Sequence, residues 1–177
     1  LDAIIIHPTG VIGPYDYAPS RMGNVFLDLI NKKLPALIDG GFDFVDSRDI
    51  AKIAVAALIK GKSGENYILS GRYFTVRDLA EIAGNITGVK PPMFTTPMWL
   101  AKLVAPFAEI IVKMTKGEPL FTRESLHALE TSKIMSHAKA NRDFGYFPRD
   151  IRESISDTYD SFYATGVLKK EAKAKGL

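Results

Sequence analysis

The stretch Ala3-Ile4-Ile5-Ile6-His7-Pro8-Thr9-Gly10-Val11-Ile12-Gly13-Pro14 decides the fold class. Its first four residues form an unbroken apolar run with three isoleucines in a row, as in a strand buried on both faces. Pro8 then removes a ladder donor, and Gly10, Gly13 and Pro14 predict a loop. A doubly buried strand belongs to a parallel sheet with neighbours on both sides. Nothing precedes this one, so the chain is expected to be a piece of a longer protein. The alternative is a processed chain that happens to begin there.

Working outward, residues Arg21 to Lys33 predict a helix with Val25, Phe26, Leu29 and Ile30 on one face. Leu37 to Val45 predicts two short strands around Gly40-Gly41. Asp46 can cap a helix running to about Lys60, with Asp49 where a capping-box acid sits. Asn66-Tyr67-Ile68-Leu69 predicts a strand closed by Gly71. Thr75-Val76-Arg77-Asp78 matches the [ST]-x-x-[DE] box, so a helix is expected from there to Gly88. Pro91 to Pro97 predicts an extended connector. Leu100, Leu103, Val104, Phe107, Ile110, Ile111 and Met114 recur at helical spacing, with Lys102, Glu109, Lys113 and Lys116 opposite and Pro106 as an expected kink. A helix near Thr122 to Thr131 follows. The last starts after Pro148 and turns Ile151, Ile155, Tyr159 and Phe162 to one side, with Gly166 as its stop.

Strands alternate with helices first, and helices dominate afterwards. The expected class is α/β: the C-terminal part of a Rossmann-type sheet plus a mostly helical cap. The expected divisions are 1–75 for the sheet with interleaved cap elements, 76–166 for the helical cap, and 167–177 for a disordered lysine-rich tail.

Composition narrows the function classes. Of 177 residues, 46% are hydrophobic and 24% charged, which is a globular balance and not that of a disordered chain. There is no cysteine, so disulfides, thiolate metal sites and a cysteine nucleophile are excluded. The three histidines, His7, His127 and His137, are dispersed, and no metal site is expected. The net charge of +3 resides in Lys169–Leu177, which holds four lysines and one glutamate. The balanced remainder implies no nucleic-acid surface. The apolar stretch from Met98 to Met114 is interrupted by Lys102, Pro106, Glu109 and Lys113, so no membrane span is expected, and the expected location is cytoplasmic.

Four strings carry a family resemblance: His7-Pro8-Thr9-Gly10-Val11-Ile12-Gly13-Pro14, Phe44-Val45-Asp46-Ser47-Arg48-Asp49-Ile50-Ala51, Asn66-Tyr67-Ile68-Leu69-Ser70-Gly71, and Arg142-Asp143-Phe144-Gly145-Tyr146-Phe147-Pro148. In this order and spacing the chain resembles the extended short-chain dehydrogenase/reductases, the NAD(P)-dependent epimerases, dehydratases and reductases. It is similar in particular to the dihydroflavonol-4-reductase-like branch, which includes 3β-hydroxysteroid dehydrogenases. The likeness extends to about Gly166.

Two family elements are missing. The approach to a Gly-x-x-Gly-x-x-Gly loop is Gly10-Val11-Ile12-Gly13, but position 16 is Asp. No Tyr-x-x-x-Lys occurs: Tyr17 and Tyr73 are followed four residues on by Arg21 and Arg77, whose fixed charge and wider fork do not substitute for lysine. In the family both elements lie upstream of the first string. The resemblance therefore implies the C-terminal half of such an enzyme, short of roughly 150 residues.

That half is expected to be inactive alone, with no catalytic residue of its own and weak or no binding of NAD or NADP. The resemblance sets Pro8, Thr9, Gly10 and Val11 beside the nicotinamide; the plainer alternative is a strand-ending turn. It sets Tyr15, Tyr17, Arg21 and Met22 in the lining of a small-molecule pocket; the alternative is surface loop and helix start. Asp46, Ser47, Arg48 and Asp49 are expected to cap and form ion pairs, and Met98 and Trp99 to serve a core or an interface. The intact protein would oxidise or reduce a hydroxyl or carbonyl group of a small organic substrate. The alternative function is a non-catalytic binding or oligomerisation module. In either case the bare flank of Ile4-Ile5-Ile6 is expected to drive self-association.

Overall fold

A computed structural model describes residues 2–104, 126–127, 129–130 and 135–169. In chain order the strands and helices are β1 (Ile5–Pro8), β2 (Gly10–Ile12), α1 (Arg21–Ile30), β3 (Leu37–Ile38), β4 (Gly41–Asp46), α2 (Ser47–Lys60), β5 (Asn66–Leu69), β6 (Arg72–Thr75), α3 (Val76–Thr87), β7 (Thr95–Thr96), α4 (Ala138–Phe144) and α5 (Ile151–Ala164). Residues 98–104 are also helical. The architecture is mixed α/β.

The first strand ends at Pro8, within the stretch where the proline and glycines predict it, but the loop expected after it does not follow. β1 runs to Pro8, and after Thr9 the chain continues as β2 instead of a loop. What changes at Thr9 is the partner. β1 lies parallel to β5, with Ile5 opposite Asn66 and Pro8 opposite Leu69. β2 lies parallel to β4, with Gly10 opposite Phe44 and Ile12 opposite Asp46. Parallel bonding draws on alternate residues, so Pro8 costs little at the junction. β6 returns antiparallel along the far side of β4, and β3 pairs parallel with β7. The two strands flanking Gly40-Gly41 are thus not paired with each other: one belongs with β7, the other sits between β2 and β6.

Side-chain alternation along β4 divides the core. Phe44 points into a cluster with Val25, Phe26, Leu29 and Ile30 of α1, Leu79, Ala80 and Ala83 of α3, and Ile151, Ile155, Tyr159 and Phe162 of α5. Val45 points the other way, to Ile53 of α2, Tyr67 and Leu69 of β5, Ala140 of α4, and Tyr146. Helices therefore cover both sides of the strands. A smaller cluster joins Ile38, Ala101, Leu126 and Leu129.

Helix ends follow their caps. Ser20 accepts from the Gly23 amide at the start of α1, which stops at Ile30, short of the expected Lys33. Asp46 caps α2 by accepting from the Arg48 amide. Thr75 and Asp78 form the full reciprocal capping box of α3, and Gly88 ends that helix in the left-handed region. α5 has the expected buried face and ends just before Gly166. Tyr159 Oη donates to the Phe26 carbonyl at 3.0 Å, fixing α5 to α1. Leu168 adds to the first core.

Four expectations need correction. Asp49 does not complete a capping box, because its carboxylate accepts instead from the Arg149 amide and guanidinium. Ile5 is exposed, not doubly buried, since among the described strands β1 has one neighbour. β6 and α4 were not anticipated. Arg72-Tyr73-Phe74-Thr75 is hidden between Gly71 and a strong helix start, and Ala138–Phe144 buries Ala140 alone, leaving no apolar periodicity to read. Pro106, the apolar pattern beyond residue 104, most of the expected Thr122–Thr131 helix and the lysines after Lys169 lie outside the described residues.

Candidate functional site

The partner switch at Thr9 is held by a buried carboxylate. Thr9 Oγ1 donates to Asp43 Oδ1 at 2.7 Å, and the Gly71 amide donates to the same oxygen at 2.7 Å. Asp43 therefore ties the β1–β2 joint, β4 and the β5–β6 turn together. The Thr9 amide also donates to the Leu69 carbonyl at 3.2 Å. Of the residues expected beside a nicotinamide, Pro8 and Val11 are exposed on this joint, and Thr9 and Gly10 are half-buried. A Cβ on Gly10 would meet the Asp43 carbonyl at 3.0 Å and the Phe44 ring at 3.1 Å. The missing side chain thus makes room for β4, and no phosphate cradle is formed. Gly10 to Gly13 also opens a strand and its exit, not a helix whose amides could face a diphosphate. These residues do not fit the anion-binding end of a nucleotide site.

A shallow depression of about 460 Å³ lies close by in sequence, beyond Pro14. Tyr15 and Tyr17 line it, both exposed, with ring centroids 6.3 Å apart. Tyr15 holds a left-handed φ of 70°, and its amide donates to Ser161 Oγ of α5 at 2.9 Å. That bond fixes a conformation a tyrosine would otherwise avoid. The other expected lining residues are elsewhere: Arg21 is exposed at the first turn of α1, and Met22 packs against the first core. On the far wall are Arg48, Asp157 and Asp160. Arg48 donates to both oxygens of Asp46 and to Asp157 Oδ2 at 2.6 Å.

The polar cluster at the start of α2 caps and forms ion pairs as expected, but its reach is longer than the sequence discloses. Arg149 bridges Asp49 at 2.9 Å and Glu153 at 2.8 Å, and stands 3.7 Å from Asp46. Burial works to raise the Asp46 pKa. Hydrogen bonds from Arg48 and Ser154 and the Arg48 charge outweigh it, so the carboxyl lies below its ordinary value. Asp46 in turn holds the Arg48 guanidinium protonated. The cluster thus offers a fixed, charged rim able to orient a polar ligand, not a group poised for proton transfer. Sequence reasoning missed Asp43, Arg149, Asp157 and Ser161. Asp43 alone carried a signal: an acid in the middle of an apolar strand needs a buried partner. Among the described residues no group of His, Asp and Glu could hold a metal ion.

No protein-family model matches the sequence. Two curated relatives do. Sterol demethylase protein B of Methylococcus capsulatus is 27% identical over 170 residues, which span 95% of this chain and 52% of that protein. A putative dihydroflavonol 4-reductase of Synechocystis is 25% identical over 174 residues, 96% of this chain and 51% of the relative. The crystal structure of gox2253 matches with a TM-score of 0.76 at 34% identity, over 94% of this chain and 51% of the other. The relatives and structural neighbours that this chain resembles include a dihydroflavonol 4-reductase, epimerases and a dehydratase. The chain spans about half the length of the curated relatives it matches. At the level of fold alone, it also matches the Bacillus cereus UDP-glucuronic acid 4-epimerase solved in complex with NAD, with a TM-score of 0.64 at 16% identity, over 93% of this chain and 45% of that one. The mixed α/β architecture is thus the Rossmann-type epimerase/dehydratase fold over about half its extent, and the resemblance read from the four strings holds.

Proposed function

We propose that this chain is the substrate-facing, C-terminal portion of an NAD(P)-dependent reductase or dehydrogenase that acts on a hydroxyl or carbonyl group of a small organic molecule. The observation that carries this reading is the coverage: the likeness runs through nearly the whole chain yet takes up half of each relative. The sequence lacks both the Gly-x-x-Gly-x-x-Gly loop and the Tyr-x-x-x-Lys pair. In this reading a nucleotide-binding half pairs with the free edge of β1. The exposed Pro8 and Val11, with Thr9 and Gly10 behind them, then form one wall for the nicotinamide. Tyr15 and Tyr17 face the substrate, and Arg21 and Met22 support the loop they follow. The bound cofactor supplies the hydride chemistry; this chain binds and orients. The relatives' names point to sterol, flavonoid and sugar substrates, so the substrate is described no more finely than its reacting group. A cytoplasmic setting accords with a pyridine-nucleotide cofactor.

Titration of the chain with NADPH, followed by nucleotide fluorescence, tests the reading. No saturable binding in the micromolar range is expected, and tight binding would overturn it. Exposed Ile5, Val55, Leu58 and Ile59 favour a second reading, a non-catalytic oligomerisation module. The upstream reading frame separates the two. Encoded glycine-rich and Tyr-x-x-x-Lys motifs support the reductase, whereas a start codon adjoining Leu1 supports the module.

A further inference from the structure

A second concavity, of about 340 Å³, opens where β6 meets the turn before α5, with Ile82 of α3 in its lining. Strand register builds its floor. β4 and β6 run antiparallel, with Phe42 opposite Phe74 and Phe44 opposite Arg72. Residues directly opposite project from one side of a sheet, and so do residues two apart. Phe44, Arg72 and Phe74 therefore rise together on the side covered by α3 and α5. Phe44 is buried and meets the Phe42 ring edge-on, with centroids 5.9 Å apart, while Phe74 is half-buried. The opposite wall is Pro148-Arg149-Asp150 and the first residues of α5. Arg149 is locked there by Asp49 at 2.9 Å and Glu153 at 2.8 Å. Two other arginines of the lining are not answered in this way. Arg72, on the core-facing side of its strand, and Arg152, in the first turn of α5, are exposed and form no ion pair with any described residue. Asp150, the one acid among the lining residues, accepts from the Arg152 amide at 2.8 Å.

We propose that this concavity binds a small phosphate monoester that carries a flat apolar ring. The aromatic floor of Phe44 and Phe74 suits the ring, since aromatic pairs gain energy beyond the area they bury. The open guanidiniums of Arg72 and Arg152 suit the anion. One arginine fork satisfies the two oxygens of a carboxylate, whereas two forks call for an anion with three terminal oxygens. Arg149 does not compete for this role, because its two acids already hold it. Its part is to fix the wall before the ligand arrives, which spares the cost of ordering it on binding. Size points the same way. Ligand pockets run from about 300 to 1,000 Å³, so this one takes a single ring with its phosphate and not a dinucleotide. It shares no lining residue with the depression at Tyr15 and Tyr17 or with the joint from Pro8 to Val11. The inference thus goes beyond the reductase reading and needs neither its cofactor nor its substrate.

The probe is phenyl phosphate, titrated into the full chain by isothermal titration calorimetry at low ionic strength, beside inorganic phosphate and phenylacetate. Phenyl phosphate is expected to bind saturably. Inorganic phosphate, which lacks the ring, and phenylacetate, which lacks the third oxygen, should each bind at least about tenfold more weakly. Arg72→Gln and Arg152→Gln should each weaken phenyl phosphate about tenfold. Both side chains are exposed, so the variants keep the fold, and circular dichroism checks it. Phe74→Leu keeps the floor apolar without its ring; it should weaken phenyl phosphate about fivefold and leave inorganic phosphate unchanged. Lys52→Gln, which removes an exposed cation on α2, should bind like the wild type. Absence of saturable binding overturns the proposal. So does phenyl phosphate binding that both arginine variants leave intact. Inorganic phosphate or phenylacetate binding as tightly as the ester overturns it too, since the concavity would then be no more than a patch of positive charge.

Discussion

Asp46 shows what one residue position decides. Its side chain caps α2, and its oxygens receive Arg48, while Arg149 stands near enough to add its charge. A serine, threonine or asparagine could cap equally well, so the charge must serve another purpose: it matches two arginines at the α2–α5 seam. Because the folded carboxyl lies below the ordinary 3.8, its stabilisation is complete above that pH and is lost as the pH falls through the folded value. Asp46→Asn is therefore expected to cost about 2 kcal/mol near neutrality. The gap from wild type should close in strong acid. Urea unfolding at a series of pH values measures it, and a gap constant with pH would refute the charge argument. Gly71 is decided by space alone. A Cβ there would stand 1.7 Å from the Phe44 carbonyl oxygen, and backbone cannot give way. Its amide also holds Asp43. Gly71→Ala is expected to lose at least about 3 kcal/mol, or the fold itself, by urea or thermal unfolding. The cap at Asp46 and the break at Gly71 are legible in the sequence. The reasons both are strict are not, because Arg149 and Phe44 reach them across the fold.

Among whole elements, those that announce themselves are the ones with chemical ends. α3 begins and stops where its capping box and Gly88 say it should. α5 buries the stripe that its period predicts. Thr75→Ala removes one half of the box, leaves the Asp78 amide without its acceptor, and is expected to cost about 1 kcal/mol in thermal unfolding. Retention of full stability would mean that packing of Leu79, Ala80 and Ala83 alone sets the helix start. The elements misread from sequence lack such signals. β2 was hidden because Gly10 and Gly13 suggest a turn, yet Gly10 is bare for contact with β4. β3 and β4 suggested a hairpin because adjacency in sequence was the available clue to pairing, whereas parallel partners come from far away: Leu37 pairs with Thr95, and Gly10 with Phe44. α4 buries one alanine and could not be seen by periodicity. In the candidate site, the loop bearing Tyr15 and Tyr17 was legible from Pro14 onward. Its far wall on α5 was not, since Asp157 and Ser161 read as solvent-facing residues of an amphipathic helix.

At the scale of the molecule, the exposed apolar groups fall into two sets with different consequences. One lies between residues 93 and 104, where Met93, Phe94, Trp99 and Leu103 are exposed. The other comprises Ile5 of β1, which has one neighbour among the described strands, and Val55, Leu58 and Ile59 on α2, whose Ile53 is committed to the second core and whose Ala57 is buried. Val55, Leu58 and Ile59 lie at helical spacings of three and four and form one stripe. In the proposed enzyme this stripe and the β1 edge belong to a boundary with the nucleotide-binding half. Without that half, the stripe and edge are expected to find a second copy, since unpaired strand edges and apolar stripes associate. Sedimentation velocity should show concentration-dependent self-association. Leu58 is 87% exposed, so Leu58→Glu disturbs little of the fold and should weaken association roughly tenfold. A monomer at high protein concentration would count against this.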